Sequence, residues 1–430
     1  MTACPSVRKI LSPTPSIRPI RVDVHQGHQA LRHIAGDWDD LCTRAAFSSP
    51  HVSRPWAEAW IAIAGPAPRP VAISAWRGDC LIGLLVLAVR RRFGARIARM
   101  FGDRRPGYQG VLADERDPDA ALALARACTA HNLFDCLVLD NISSLNHPTH
   151  SFVHHLHLHG WITASVRRTI SHTIRCQASF EAYSRLRHSP KARYNLRRSQ
   201  RLLDRRYDSH IERFDGASID ESIMSRLADI QYHSWMRRRG AAAFLIPAWR
   251  QVILHLSRAG LTRVWILRLD GKDAAFVFAT LDGTQRLFYE WTAFDLAYRH
   301  LSVGQLLTRH VIRQTLEEGF RIFDFGQGDA AYKRFWATDH HYVSRLVAGR
   351  GLRGLTALHL RKVLWSLAQN RRFIRPYRAW QRTARLIVQH HFATTHDAHS
   401  PRPDVSFPPT RTRHTTPAHR SAAAEHSYRL

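Results

Sequence analysis

At 430 residues the chain is too long for one small core, and its formal net charge of +29 is almost all arginine, 58 of the 63 basic residues. Such a surplus implies attraction to anionic partners (coenzyme phosphates, acidic polysaccharide, anionic lipid or RNA) without choosing among them. The six cysteines form no CxxC pair, which argues against a zinc centre or a disulfide framework. The most apolar run, Cys80 to Val89, falls well short of the roughly 20 residues a membrane span needs.

Residues 1–20 are rich in Pro and Ser and read as disordered, and no signal-peptide apolar region is expected among them. A reduced cytoplasmic location is the expectation. A first strand begins over Ile20 to Val24. A helix is expected around Pro55–Ile63, then strand Val71–Trp76, a Gly78-Asp79 turn, strand Leu81–Val89 and a third strand near Ala95–Phe101. A helix over Pro118–Ala130 and a strand over Phe134–Asp140 complete the first half. The six histidines from 147 to 159 invite a metal reading, but no carboxylate or cysteine accompanies them, and no metal is expected.

The order then repeats. A helix over Ser218–Arg238 leads to strand Arg263–Leu269, a hairpin turn at Asp270-Gly271, strand Ala274–Thr280, a turn at Asp282-Gly283 and strand Arg286–Thr292. A helix from Val303 closes at Gly319, and strand Arg321–Phe325 follows. Helix, three-stranded meander, helix and strand occur twice, in element order and not in residues. This order points to an α+β or α/β sandwich in each half, helices packed on a mixed sheet.

After Gly351, Leu360, Val363, Leu364 and Leu367 recur at helical spacing, and after Pro376 so do Tyr377, Trp380, Ala384 and Ile387. These basic amphipathic segments either cover exposed core or bind an anionic membrane through residues 355–390. From 393 onward Pro, Thr, His and Arg prevail, and a disordered tail is expected. The divisions are thus 1–20, 21–170, 171–350, 351–392 and 393–430.

The segment from Phe323 to Trp336, Phe-Asp-Phe-Gly-Gln-Gly-Asp-Ala-Ala-Tyr-Lys-Arg-Phe-Trp, carries the most chemistry. Residues at the carboxyl edge of a sheet project into the crevice where ligands bind, which makes Asp324 and Lys333 the first candidates. Ser302 followed three positions later by Gln305 reads as a capping box. The helix start it marks is an anion site that Gly304 leaves open, with Arg299 and His300 just upstream. On the neighbouring strand Glu290 either accepts a proton from an amine or hydroxyl nucleophile or pairs with an arginine. A further helix over Ser189–Arg206, capped by Ser189 and Pro190, is strongly basic; it is either a solvated face or a surface for an anionic donor or acceptor.

Glu290 to Ala337 resembles the GNAT-superfamily acyltransferases of the bacterial cellulose-biosynthesis (CelD/BcsL) type. Asp295, Tyr298, Ser302 and Gly304 match their turn before the helix. Asp324, Phe325, Gly326, Gly328, Asp329, Tyr332 and Lys333 match their strand end. The likeness runs more loosely upstream through His233, Trp235, Arg237 and Gly240 to the basic helix. The string from Ser48 to Trp60, with Leu81–Arg92, is similar to the first half of the same proteins.

The resemblance implies two tandem GNAT-like domains with a C-terminal helical extension, an arrangement shared with the Fem aminoacyltransferases. It implies an acyl-CoA donor such as acetyl-CoA, held around Arg299, Ser302, Gly304 and Gln305. Glu290 or Asp324 would orient or deprotonate the nucleophile, unless Asp324 only braces the turn, and Tyr332 either protonates a leaving thiolate, as a tyrosine does in many such enzymes, or packs with Phe335 and Trp336. His233, Trp235, Arg237, Asp329 and Lys333 would meet a saccharide or small-molecule acceptor. The pyrophosphate loop is reduced to Arg299–Gly304 with one glycine, as a Fem-like enzyme using aminoacyl-tRNA would also display.

Overall fold

The computed structural model describes residues 19–27, 31–64, 69–92, 94–102, 107–176, 179–238, 243–283 and 286–369. The expected segment after Pro376 and the tail from 393 lie outside them, as do residues 1–18 of the expected disordered N-terminus. In chain order the elements are β1 (Ile20–Gln26), α1 (Ala35–Arg44), α2 (Arg54–Ala64), β2 (Arg69–Arg77), β3 (Cys80–Arg92), β4 (Ala95–Arg99), β5 (Leu112–Ala113), α3 (Ala120–Ala130), β6 (Cys136–Ser143), α4 (His147–Leu158) and β7 (Ile162–Arg175). There follow α5 (Phe180–Arg187), α6 (Pro190–Arg206), β8 (Ser209–Asp215), α7 (Glu221–His233), α8 (Trp235–Arg238), α9 (Pro247–Arg258), β9 (Thr262–Leu269), β10 (Lys272–Asp282) and β11 (Arg286–Phe294). α10 (Val303–Glu317), β12 (Ile322–Gln327), α11 (Ala331–Trp336), β13 (Asp339–Gly349) and α12 (Gly351–Gln369) complete the described chain.

The strands form one mixed sheet in the order β1-β2-β3-β4-β6-β13-β7-β12-β11-β10-β9-β8, with β5 on β3. The order is a palindrome in structure: β1 answers β8, β2 answers β9, β3 answers β10, β4 answers β11 and β6 answers β12. At the centre each half lends its last strand to the other. β7 pairs with β12 of the second half, and β13 pairs with β6 of the first. The two lent strands also pair with each other from Ile162/Gly349 to Thr173/Asp339. The duplicated order read from the sequence therefore closes into one sheet across which both halves are hydrogen-bonded.

Local chemistry explains the elements. β3 and β10 are apolar on both faces because helices cover both sides of the sheet, and Leu84, Leu85, Phe276 and Phe278 are fully buried. Burial of each such side chain is worth about 1.5–3 kcal/mol. At the β9–β10 hairpin both Asp270 and Gly271 have positive φ, 47° and 75°, as a tight primed turn requires. Ser189 accepts from the Ala192 amide and Pro190 opens α6, as expected from the sequence. The helix expected over Ser218–Arg238 is divided: Asp220 caps α7 by accepting from the Ser222 and Ile223 amides, and the helix breaks at Ser234.

The largest core cluster runs through both halves. α2 packs on α9, where Trp56, Trp60 and Trp249 meet with ring centroids 5.7–5.9 Å apart. Residues up to Lys362 form one compact unit. Among the described residues no helix is long and apolar enough to cross a membrane, and no group of three or more His, Cys, Asp or Glu side chains is placed to hold a metal.

Candidate active site at the fork of β11 and β12

β11 and β12 run parallel only from Arg286/Ile322 to Phe288/Asp324. Beyond that point both strands continue but no longer pair, so the sheet forks. Gly326 (φ 68°) and Gly328 (φ 101°) turn β12 away through conformations that side-chain-bearing residues rarely adopt. Next to the fork stands the start of α10, whose first turn carries the partial positive charge of a helix N-terminus.

Glu290 lies just past the last ladder pair, its side chain 5% exposed. The Thr280 hydroxyl donates to its carboxyl at 3.1 Å, and His51 Nε2 lies 3.2 Å from the same oxygen. Burial pushes the Glu290 carboxyl up to about 8, helped by the Asp324 charge and opposed by Thr280 and Lys333. Burial pulls His51 down to about 3. At neutral pH the contact is therefore a hydrogen bond between two largely neutral groups, not the ion pair with an arginine that was the alternative reading of Glu290.

Asp324 is fully buried and serves as an acceptor. Its Oδ1 takes hydrogen bonds from the Tyr108 hydroxyl (2.8 Å), the Ser171 hydroxyl (3.0 Å) and the Gly326 amide (2.8 Å). Arg286 and His341 each lie 4.0 Å from its other oxygen. Tyr108, and Ser171 of the lent strand β7, which runs past the expected division at 170, come from the first half of the sheet, so Asp324 joins the halves as well as bracing the turn. In the first half Asp140, two positions past the last parallel pair of β6, is also buried and accepts from Arg345 of the lent strand β13. A buried acid on β6 and on β12, each held by the other half, is first of all an architectural device.

Lys333 is buried on α11 and reaches back into the turn, donating to the carbonyls of Gly326 (3.0 Å) and Gln327 (2.7 Å). Burial lowers its ammonium to about 8, against the opposing pull of Asp324, Glu290 and Asp329. Asp329 is more exposed and is held by His172 (2.9 Å) and Arg334 (2.6 Å). The Tyr332 ring packs near Tyr289 and Phe325, with centroids 6.5 and 6.3 Å away. Glu290, Asp324, Tyr332, Lys333 and Asp329 are thus brought together around the fork.

The helix start differs from the expected capping box. Ser302 sits in the left-handed region (φ 57°) with no side-chain bond to the first turn. Gln305 instead accepts from the Trp336 indole at 2.8 Å, tying α10 to α11. This contact outcompetes the local one because it satisfies an otherwise buried indole N–H. Gly304 has a second role besides openness: a Cβ there would sit 3.2 Å from the Phe294 ring. Arg299 and Ser302 are exposed just before the helix.

His233 and Trp235 lie exposed at the end of α7 and the start of α8, where the His233 ring contacts the Asp229 carbonyl at 3.0 Å. Arg237 lies on α8. None of the contacts described for His233 reaches Glu290, Asp324 or Lys333. Conversely, sequence reasoning missed His51, Tyr108, Ser171 and His341, which reach the fork from other strands and loops, and Arg286, which opens β11 beside it. Only His51 left a signal, since it falls within the Ser48–Trp60 string. The histidines of α4 are occupied otherwise: His150 contacts the Ser143 carbonyl at 3.1 Å.

Residues 190–334, about a third of the chain, match the family model described as an acetyltransferase (GNAT) domain. Among solved structures the chain is similar to FemX, with a TM-score of 0.57 at 11% identity, covering 78% of this chain and 99% of that one. It is also similar to a tandem GNAT protein from the clavulanic acid biosynthesis pathway, with a TM-score of 0.42 at 14% identity, covering 77% and 99%. No curated protein sequence matches the chain. Over residues 190–334 the chain carries a GNAT-type acetyltransferase domain, set in a mixed α/β GNAT-like fold.

Proposed function

We propose that the protein is an acyltransferase that passes an acyl group, acetyl in the first instance, from an acyl-CoA thioester to an amine or hydroxyl of a saccharide, a polysaccharide precursor or an amine-bearing metabolite. Exopolysaccharide or cellulose assembly of the CelD/BcsL type, in the cytoplasm, is the setting this reading favours. The observation that carries it is Glu290, a buried carboxyl held near neutrality at a fork where β11 and β12 stop pairing with each other beside a helix N-terminus. An extended, amide-bearing donor arm fits such a fork as an added strand fits a sheet edge. The first turn of α10, with Arg299 and Ser302 beside it, suits the donor phosphates.

In this mechanism the acceptor nitrogen or oxygen attacks the thioester carbonyl while the Glu290 carboxylate takes its proton. The tetrahedral intermediate collapses with cleavage of the C–S bond, and the Tyr332 hydroxyl supplies the proton to the departing thiolate. Direct transfer needs no covalent enzyme intermediate. Lys333 holds the Gly326–Gln327 turn by its carbonyls, and Asp324 holds it from the other side. In this reading Asp324 positions the fork and Glu290 is the base.

Acyl-CoAs of increasing chain length, offered to the purified protein with a panel of amines and sugars, test the proposal by release of free thiol and by thermal stabilisation. Thiol release that depends on the acceptor supports it. If no acyl-CoA stabilises the protein or is consumed, the donor assignment fails.

A second reading, transfer from an aminoacyl-tRNA, is favoured by the single-glycine loop Arg299–Gly304 and by the exposed arginines of α6. It requires tRNA binding that weakens steeply with salt, and absence of binding at low salt removes it.

A further inference from the structure

Away from the fork, α5, α6 and the outer face of α10 enclose a pocket of about 390 Å³. Its walls bring five guanidinium groups together, Arg185 from α5, Arg193 and Arg197 from α6, and Arg309 and Arg313 from α10, against the single carboxylate of Glu181. Arg185 makes only a long bond to the Glu181 carbonyl of its own helix (3.4 Å), and two of the five have firmer structural duties. Arg193 donates to the carbonyls of His188 (2.6 Å) and Arg185 (3.3 Å), closing the C-terminal end of α5. Arg313 pairs with Glu181 at 3.0 Å, its guanidinium 4.7 Å from the Phe180 ring centroid.

The other three are different. Among the described residues, Arg185, Arg197 and Arg309 have no carboxylate partner. Arg309 is half-buried above the Phe180 ring. Burial, then the neighbouring Arg313 and Arg197 charges, hold its guanidinium below the usual range, with Glu181 opposing. Arg226 and Arg263 show the contrast: Arg226 binds Asp273 and Glu212, and Arg263 binds Asp215 and Glu318. Here five like charges converge on a concave site with one carboxylate among them, an arrangement that costs stability unless an anion enters.

We propose that this pocket is a binding site for a phosphomonoester, a dianionic phosphoryl group held by Arg185, Arg197 and Arg309 over the Phe180 ring. Planar guanidinium forks match phosphoryl oxygens in pairs, and three of them exceed what a monoanion such as chloride or a carboxylate can use. The volume accommodates the group attached to the phosphate as well. A small phosphorylated metabolite and a phosphatidate headgroup present the same chemistry. The site does not depend on the acyl-transfer reading, because none of its residues lies at the fork.

The test compares full-length protein with Arg309→Gln, Arg197→Gln and Arg309→Lys. Inorganic phosphate and glycerol 3-phosphate are added to each at ionic strength matched with sodium chloride, and phosphatidylcholine vesicles with and without phosphatidate are tested by co-flotation. Small phosphates should raise the melting midpoint of the parent by roughly 2–5 °C at saturating concentration. Either Gln variant should lose about tenfold or more in phosphate affinity while melting no lower than the parent without ligand, and Arg309→Lys should retain part of the affinity. Should Arg309→Gln fail to fold, Arg197→Gln, at an exposed position of α6, decides alone. Co-flotation that needs phosphatidate and is lost in the Gln variants, without stabilisation by small phosphates, assigns the lipid source. Phosphate effects no larger than those of chloride, or equal in parent and Gln variants, together with no phosphatidate-dependent flotation, overturn the proposal.

Discussion

Two buried acids a few residues from the same fork do different things, and their surroundings separate them. Glu290 has one hydroxyl donor and a neutral imidazole, so its charged form is poorly supported and its proton is held up to about pH 8. Asp324 has three donors on a single oxygen. Glu290→Gln should therefore lower kcat by about 10²–10⁴-fold while leaving the fold intact, and kcat/KM of the parent should rise with pH through about 8 along a limb the variant lacks. Stability gives an independent readout. A carboxyl raised in the folded state favours folding while it stays protonated, and that contribution is lost as pH rises from about 4.5 through about 8. Glu290→Gln should consequently gain stability relative to the parent between pH 5 and pH 9, and a constant difference would show that Glu290 is not held protonated. Asp324→Ala, by contrast, leaves the Gly326 amide and one of the Tyr108 and Ser171 hydroxyls without a buried acceptor, because those hydroxyls then have only each other at 2.7 Å, and should cost about 3 kcal/mol or more in denaturant melts, against about 1 kcal/mol for Tyr108→Phe. Asp324, Lys333 and Glu290 were legible in the sequence because strand ends announce themselves. His51, Tyr108 and Ser171 were not, since their contacts with Glu290 and Asp324 span 153 to 239 positions of chain.

Among the elements, the meanders, α6 and α10 were readable because period, caps and turn residues are local signals. Asp270-Gly271 named its turn and Ser189-Pro190 its helix start. β7 and β13 were not recognised: their residues alternate polar and apolar without a sharp boundary, and what makes them strands is pairing with partners far away in sequence. The Ser302–Gln305 capping box failed for a related reason, a tertiary bond from Trp336 taking the glutamine. α12 offers a test of how such remote pairing is secured. Gly354 lies so close to the first half that a Cβ there would stand 2.1 Å from the Asp135 carbonyl oxygen, and one at Gly349 would meet Leu358. Backbone cannot yield as a flexible side chain does. Gly354→Ala should thus destabilise the protein by roughly 1–3 kcal/mol despite the better helix propensity of alanine, a sign opposite to that expected for a free helix. Equal or higher stability of the variant would detach the start of α12 from β6.

On the scale of the molecule, the lent strands decide how the protein unfolds. A chain built as two beads would melt in two steps, each half keeping its own sheet. Here neither half holds a complete sheet: without β13, β6 loses its partner from Val343/Ser143 to Gly349/Cys136, and without β7, β12 is left with β11 alone. The core clusters add to this, since the α2–α9 contact buries Trp56 against Trp249. Exposing either edge would leave unpaired strand groups and apolar surface together, a combination that aggregates more readily than it persists. Residues 19–362 should therefore unfold as one cooperative unit, with calorimetric and van't Hoff enthalpies agreeing for its transition. The discriminating variant is Val343→Asp, which places an unpaired charge at a buried position of the central strand. It should lower the exchange-protection melts of β2–β3 amides and of β9–β10 amides by the same number of degrees, although it lies on neither pair of strands. A shift confined to one probe would mean that the halves are joined in space but independent in energy.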